Sequence, residues 1–296
     1  MHIKHNKITK VLFYPLIVAG EWMGKHYPVQ YMKIRYFFRF HRFVNLKHPT
    51  DLNEKILWLY FNTDTNEWSR LTDKLLVRDY VKEKGFEEIL KEVYAVWDRL
   101  EDVQFDALPK SFVLKSNNGS GTCLIVSDKS QFHEKNALRL MKQWMVKDDF
   151  GYEYHYRKIT NRLFAEEYLD ACDSPSVVDY KFWCFNSIPS YVWVCTNRDA
   201  SGCDTMIYDM NWNAYPNYLN VNQSYRKGDL LPKPSQFDRM KEIAGKLSQS
   251  FPVVRVDLFE VNGKVYFGEM TFTSVGGMNS QYSKEFLLKA GSLITL

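Results

Sequence analysis

The chain has 296 residues, 45% hydrophobic and 25% charged, enough for two or three lobes around at least one sizeable core and typical of a globular protein. Its five cysteines (Cys123, Cys172, Cys184, Cys195, Cys203) are odd in number and lack metal-ligand spacing, which excludes a cysteine-built metal centre and fits a reduced, cytoplasmic protein. The net charge of +4 is unevenly spread: residues 1–50 carry nine Lys/Arg against one acid, Glu21, and five of the seven histidines.

Residues 1–48 therefore read as a basic, aromatic arm. Such an arm either covers the next domain as a solvated amphipathic helix or meets an anionic partner, a glycan or the inner face of a membrane. No recognition motif accompanies it that would suit a nucleic acid. The apolar run 11–18 is too short to span a bilayer and contains Pro15; with Lys4, Lys7 and Lys10 before it, it imitates a signal peptide only loosely.

Residues 48–55 lead into a helix holding Ile56, Leu57, Leu59 and Tyr60. Thr72 is placed to cap a second helix over 73–84, which Lys84-Gly85 ends. Residues 111–115 read as a strand, 116–122 as a Gly-rich loop, 123–126 as the returning strand and 131–147 as an amphipathic helix. Strand signals follow at 162–169, 177–186 and 190–196, the last two joined by a turn at Asn186-Ser187-Ile188-Pro189. Ser235 and Asp238 form a capping-box start for a helix reaching about residue 249. Strands 253–260 and 264–270 close the core around Val261-Asn262-Gly263, and 147–158 and 197–232 read as variable loops. The sum is an α+β protein with antiparallel hairpins.

The closing hairpin carries the chemistry. A two-residue Asn262-Gly263 turn would pair residue 257 with 268 and put Asp257 and Glu269 on opposite faces. A three-residue loop with Gly263 in a bulge pairs 257 with 267 and brings Glu269 to the same face as its diagonal neighbour. The second register separates the residues by chemistry, with Val254, Val256, Leu258, Tyr266 and Met270 on one face and Arg255, Asp257, Glu269 and Thr271 on the other. It is the register expected. Carboxylates so placed suit Mg²⁺, a hard ion with a preference for oxygen ligands, and Arg255 suits a phosphoryl group or oxyanion. The same pattern alone also describes a solvated sheet face with Arg–Asp and Lys–Glu pairs.

Upstream, Lys115 ends a strand and meets Ser116-Asn117-Asn118-Gly119-Ser120-Gly121-Thr122, whose glycines let backbone N–H groups close on phosphate oxygens. This is not the P-loop order, in which lysine follows the glycines. A plain hairpin turn has the same composition. Lys74 opens a helix where the dipole opposes a cation, a position that makes sense if it reaches toward an anion. Val178-Asp179-Tyr180-Lys181-Phe182 alternates, with Asp179 and Lys181 on one face.

In this order, Asp73-Lys74, Leu114-Lys115 with its loop, Glu166-Glu167-Tyr168-Leu169, Arg255-Val256-Asp257 and Glu269-Met270-Thr271 resemble the ATP-grasp superfamily over about residues 72–280. Adding Leu52-Asn53-Glu54-Lys55, Asp179-Tyr180-Lys181 and Phe267-Gly268-Glu269-Met270-Thr271-Phe272-Thr273, the chain is similar to the TupA-like ATP-grasp family, associated with bacterial surface polysaccharide and teichuronopeptide synthesis. The resemblance implies an α+β ATP-grasp fold holding the nucleotide between two lobes: arm 1–48, N-terminal lobe 49–110, central lobe 111–170 and C-terminal lobe 171–296. It implies ATP phosphates at Lys74, Lys115 and the loop Gly119, Ser120, Gly121 and Thr122. Adenine falls at Glu166, Glu167, Tyr168 and Leu169, the ribose near Asp179, and Mg²⁺ at Asp257, Glu269 and Thr271. Arg255 and Lys181 would face the γ-phosphate and the reaction intermediate. Thr271 stands where these ligases commonly carry Asn, and Val275-Gly276-Gly277 where Pro-Gly often follows. The implied reaction joins a carboxylate, such as a uronic acid of a glycan, to an amine such as an amino acid through an acyl phosphate, with substrate contacts from the loops 147–158 and 197–232 and the aromatic, polar stretch 152–157 on the acceptor side. A sugar kinase using the same nucleotide site, and a non-enzymatic adaptor using the arm, are the alternatives.

Overall fold

The computed structural model describes residues 19–20, 22–119, 121–146, 152–171 and 174–296. The expectations for residues 1–18, Ser120, Cys172 and the first part of the 147–158 loop lie outside them.

The described part of the arm is helical and packed down. Helix α1 (Pro28–Phe40) starts on a proline, whose fixed φ suits the first turn, and buries Met32 and Tyr36, one turn apart. Arg42 then donates to the Tyr36 hydroxyl at 2.6 Å, to Glu54 at 2.7 Å and to Asp51. Asp51 caps α2 (Leu52–Asn62), accepting from the Glu54 N–H at 2.9 Å. Asn53 accepts from both the backbone and side-chain N–H groups of Asn279, and Lys55 donates to the Ile294 carbonyl at 2.6 Å. The Leu52-Asn53-Glu54-Lys55 motif is thus a clamp joining arm, helix and C-terminus.

Two sheets follow. A four-stranded sheet has the order β1 (Val93–Trp97), β4 (Leu163–Glu166), β2 (Phe112–Ser116), β3 (Cys123–Val126), and α5 (Glu134–Val146) packs on it. A six-stranded sheet has the order β10 (Lys264–Thr271), β9 (Val253–Val261), β5 (Asp179–Phe185), β6 (Ile188–Thr196), β7 (Cys203–Asp209), β8 (Tyr225–Lys227). Only β7 and β8 pair in parallel among the described strands. Each sheet has its own core. Trp97, Phe112, Leu114, Met141 and Leu163 fill the smaller one, whereas α2, α3 (Asn66–Thr72) and α4 (Val77–Glu83) share the larger one with the six-stranded sheet. The 49–110 stretch is therefore divided: its helices join the larger core and β1 joins the smaller sheet.

Several local expectations change. Helix α3 ends at Thr72, so Thr72 caps nothing; the Asp73 carboxylate instead accepts from the N–H groups of Leu75 at 2.8 Å and Leu76 at 3.2 Å. Helix α7 (Phe237–Leu247) has no Ser235 capping box, because the Ser235 hydroxyl turns to Glu260, which also accepts from the Gln236 N–H at 3.2 Å. The turn before β6 is made by Asn186 and Ser187 alone, both with positive φ, and Ile188 and Pro189 already belong to the strand. Strands β7 and β8 occupy part of the 197–232 stretch. The remaining helices are a single turn, α6 (Tyr154–Arg157), and α8 (Lys284–Ser292), which Ser283 caps.

The β9–β10 register reaches the expected face by another route. Asn262 (φ 51°) and Gly263 (φ 71°) form the two-residue turn, with Val261 opposite Lys264. The extra residue lies further along, at Gly268: Phe267 pairs with Leu258, but Glu269 pairs with Asp257. The expected 257–267 pair does not form, and Tyr266, paired with Phe259, lies on the Asp257 face, while Phe267 takes the buried position.

Candidate functional site

On β9, one strand in from the β10 edge of the larger sheet, Asp257 is 1% exposed and held by two cations. Arg255 grips both its oxygens, Nε to Oδ1 and Nη2 to Oδ2, each at 2.7 Å, and Lys181 on the neighbouring strand β5 donates to Oδ2 at 2.6 Å. Burial pushes the Asp257 carboxyl up, but Arg255 and Lys181 outweigh it and hold it below the usual range. Arg255 also donates to Ser274 at 2.9 Å and Thr271 at 3.1 Å, and approaches Glu269 at 3.5 Å. Thr271 donates to Glu269 Oε1 at 3.2 Å. The carboxylate of Glu269 remains one-third exposed.

A second charge cluster lies on the smaller sheet. Glu166 ends β4 and accepts from Lys115 on β2 at 2.5 Å and from Lys91 at 2.6 Å, both on Oε1. Burial alone would raise the Glu166 carboxyl; Lys91 and Lys115 bring it down to about 2. Burial lowers Lys115, and Glu166 more than restores it.

Lys74 sits in the turn between α3 and α4 and donates to the Gly119 carbonyl at 2.5 Å. The turn is sewn to the Gly-rich loop: the Lys74 N–H reaches the Asn117 carbonyl at 3.1 Å, and Asn117 Nδ2 donates to Asp73 at 2.8 Å. Burial, with Lys115 nearby, lowers the Lys74 ammonium below its ordinary range despite the pull of Glu269, Glu166 and Asp73. Gly119 and Gly121 have φ of 77° and 74°, and Ser116 bonds Thr122 beneath them at 2.7 Å.

These elements wall one cavity of about 1020 Å³, lined by Lys74, Gly119, Gly121, Lys181, Arg255, Glu269 and Thr271. Lys115, Asp257, Thr122, Glu166, Glu167, Tyr168, Leu169 and Asp179 do not line it. Lys115 nonetheless feels Glu269, and Asp257 sits directly behind Arg255. The Glu166 side chain is committed to two lysines, and the Glu167 N–H to the Glu92 carbonyl at 2.9 Å. Asp179 is bonded by Arg198 at 2.9 Å and lies 3.4 Å from Lys181.

The cavity also contains Arg35 and Arg39 from α1, which sequence reasoning missed, and Glu153 and Tyr156 around α6 and Arg198 and Tyr225 near β8, which fall in the loops expected to meet substrate but were not singled out there. Only the charge excess of the arm hinted at the first two. Lys91, in Leu90-Lys91-Glu92, carries no sequence signal of burial.

The donor set fits magnesium that enters with a polyphosphate. Glu269 and the Thr271 hydroxyl face the cavity, and Asp257 is paired across the strands with Glu269. Among the described residues no group of three His, Cys, Asp or Glu could cage a metal alone, and Asp257 is already shared by two cations. A hard ion carrying most of its oxygens from phosphate and water needs only such a partial set.

Comparison with known proteins gives one family model, described as TupA-like ATPgrasp, matching residues 54–295. A search of curated proteins finds no match. Among solved structures, the chain is similar to D-alanine–D-alanine ligase from Bacillus anthracis, at 15% identity and a TM-score of 0.46 over 76% of this chain and 64% of that one. It is similar to the Helicobacter pylori D-alanine–D-alanine ligase at 15% identity and a TM-score of 0.44, over 83% and 70%. The ATP-grasp ligase PsnB, complexed with its minimal precursor, is similar at 11% identity and a TM-score of 0.43, over 78% and 62%. The chain thus spans less than two thirds of the B. anthracis enzyme. Among the described residues no helix is long and apolar enough to cross a membrane.

Proposed function

We propose that this chain, which belongs to the TupA-like ATP-grasp family, is an ATP-dependent ligase joining a carboxylate to an amine through an acyl phosphate. The observation that carries the reading is the single cavity in which Lys74, the Gly119–Gly121 backbone, Lys181 and Arg255 converge opposite Glu269 and Thr271. Two anions that repel each other, a triphosphate and a carboxylate, need such a concentration of positive charge to meet.

In this reading Lys74 and Lys115 bind phosphates, the Gly-rich loop closes over them, and Arg255 with Lys181 orients the reacting carboxylate and γ-phosphate. Glu167 to Leu169, just beyond β4, hold adenine through their backbone, and Asp179 lies toward the ribose. Glu269 and Thr271, with Asp257 behind them, would hold magnesium, which would neutralise charge on the phosphates. Loop closure excludes water that would hydrolyse the acyl phosphate. The substrates proposed are a uronic acid of a surface glycan and an amino acid or similar amine. For the arm, exposed Trp22, Tyr27, Phe38 and Phe43 interspersed with Lys25 and Lys33 support peripheral contact with an anionic membrane face.

The test is ADP and phosphate release from Mg-ATP with hexuronic acids, with and without amino acids, beside Glu269→Gln. Release that requires both acid and amine and is lost in the variant supports the ligase. A phosphorylated sugar with no free phosphate overturns it in favour of a kinase.

A further inference from the structure

The cavity is electrostatically lopsided. Among the described residues six cations line it (Arg35, Arg39, Lys74, Lys181, Arg198 and Arg255) against two carboxylates, Glu153 and Glu269. Glu269 belongs to the phosphate end, where Thr271 donates to it and Arg255 approaches. Glu153 stands apart, immediately before α6, with the Thr273 hydroxyl donating to its Oε1. An amine arrives at neutral pH as an ammonium ion, and a wall of cations repels it everywhere except beside a carboxylate that is not held in an ion pair. We infer, on the ligase reading, that Glu153 is the ammonium subsite and takes the proton the amine must lose before it attacks.

The surroundings favour that role. Gly276 passes so close that a β-carbon on it would stand 3.3 Å from Glu153 Oε2 and 2.7 Å from the Tyr152 hydroxyl. The bare backbone therefore makes room for both side chains at the cavity wall. Burial pushes the Glu153 carboxyl up, and the Thr273 hydrogen bond and Arg35 on α1 offset only part of this, leaving it at about 7. A base titrating there is half-ionised at working pH, where general-base catalysis is most effective. The other titratable neighbours are poor bases. His155, whose Nε2 lies 3.5 Å from the Thr273 hydroxyl, is driven by burial down to about 3. Burial also raises the phenols of Tyr60, Tyr152 and Tyr156, which keeps them protonated.

The step balances. The ammonium gives one proton to the Glu153 carboxylate and becomes the free amine. Its lone pair forms the C–N bond to the acyl carbon, and the C–O bond to phosphate breaks. Phosphate leaves with that electron pair and takes the second N–H proton; the third hydrogen stays on the amide. Glu153 returns its proton to solvent before the next turnover.

The experiment compares an ammonium substrate with hydroxylamine, which is already uncharged at neutral pH, in wild type and Glu153→Gln. The expected result is a loss of about a hundredfold or more in amide formation with hydroxamate formation unchanged, matching the usual weight of a general base. In wild type, kcat/KM for the amine falls below about pH 7 as Glu153 protonates, and the hydroxylamine reaction lacks that limb; this profile decides the matter even if the variant misfolds. Equal losses with both nucleophiles, or the same limb with both, would overturn the assignment while leaving the ligase intact. Absence of hydroxamate from wild type with every acid would overturn the ligase reading and the Glu153 role together.

Discussion

Gly268 lies against the backbone of Asp257: a β-carbon added there would stand 2.8 Å from the Asp257 carbonyl oxygen and 3.0 Å from the Phe259 ring. That contact is what lets β10 accommodate its extra residue and set Glu269 opposite Asp257. Gly268→Ala is expected to destabilise the fold by about 1–3 kcal/mol, the usual penalty of overpacking, and to weaken Mg-nucleotide binding. A thermal melt and a fluorescent ATP-analogue titration check both. Unchanged nucleotide affinity would mean the bulge does not position the carboxylates.

The two hairpin carboxylates should separate in their effects. Asp257→Asn leaves Arg255 and Lys181 buried without their anion, and breaking such a pair is worth about 3–5 kcal/mol. Glu269 is one-third exposed and only 3.5 Å from Arg255, so Glu269→Gln should change stability by less than about 1 kcal/mol while abolishing activity. Urea unfolding of both variants, read beside ADP release, tests the separation.

Glu166 predicts an acid response. A carboxyl held below its unfolded value stabilises the fold above that value and loses the contribution as pH falls through the folded one. With Glu166 held at about 2 against an ordinary 4.5, stability should fall between about pH 4.5 and 2. Glu166→Gln should remove that component of the slope and destabilise the protein at neutral pH, because Lys91 and Lys115 lose their shared anion. A urea-midpoint series across the window gives the answer; identical slopes in both proteins would assign acid sensitivity elsewhere.

Phe38 and Phe43 are 73% and 77% exposed, so Phe38→Ser with Phe43→Ser should leave the melting temperature unchanged. The same pair should lower sedimentation with vesicles containing anionic lipid, and wild type should not sediment with purely zwitterionic ones. Equal sedimentation of wild type and variant would remove these aromatics from any membrane contact.

What the sequence disclosed follows from periodicity. Arg255, Asp257, Glu269 and Thr271 alternate with apolar residues, so their shared face was readable even though the bulge at Gly268 was not. Nothing in a glycine flanked by Phe267 and Glu269 distinguishes a bulge from an ordinary strand position until the partner backbone is present. The pairing of Lys115 and Lys91 on Glu166 spans 51 and 75 residues, distances over which local pattern carries no information. Glu153 was legible only as part of a polar, aromatic loop: that it and Glu269 are the two acids lining the cavity among the described residues is a spatial fact that no linear reading counts. Thr72 and Ser235 misled because side chains that commonly cap helices stood near helix starts, while Asp73 and the distant Glu260 supplied the oxygens.

The clamp of Arg42 on Tyr36, Asp51 and Glu54 fixes α1 so that Arg35, Phe38 and Arg39 complete the cavity, yet the family match begins only at residue 54. One wall of the cavity is thus built by residues that the family model does not cover. On the ligase reading, changes confined to Arg35, Phe38 and Arg39 would alter which acceptor enters while leaving the phosphate end of the cavity as it is.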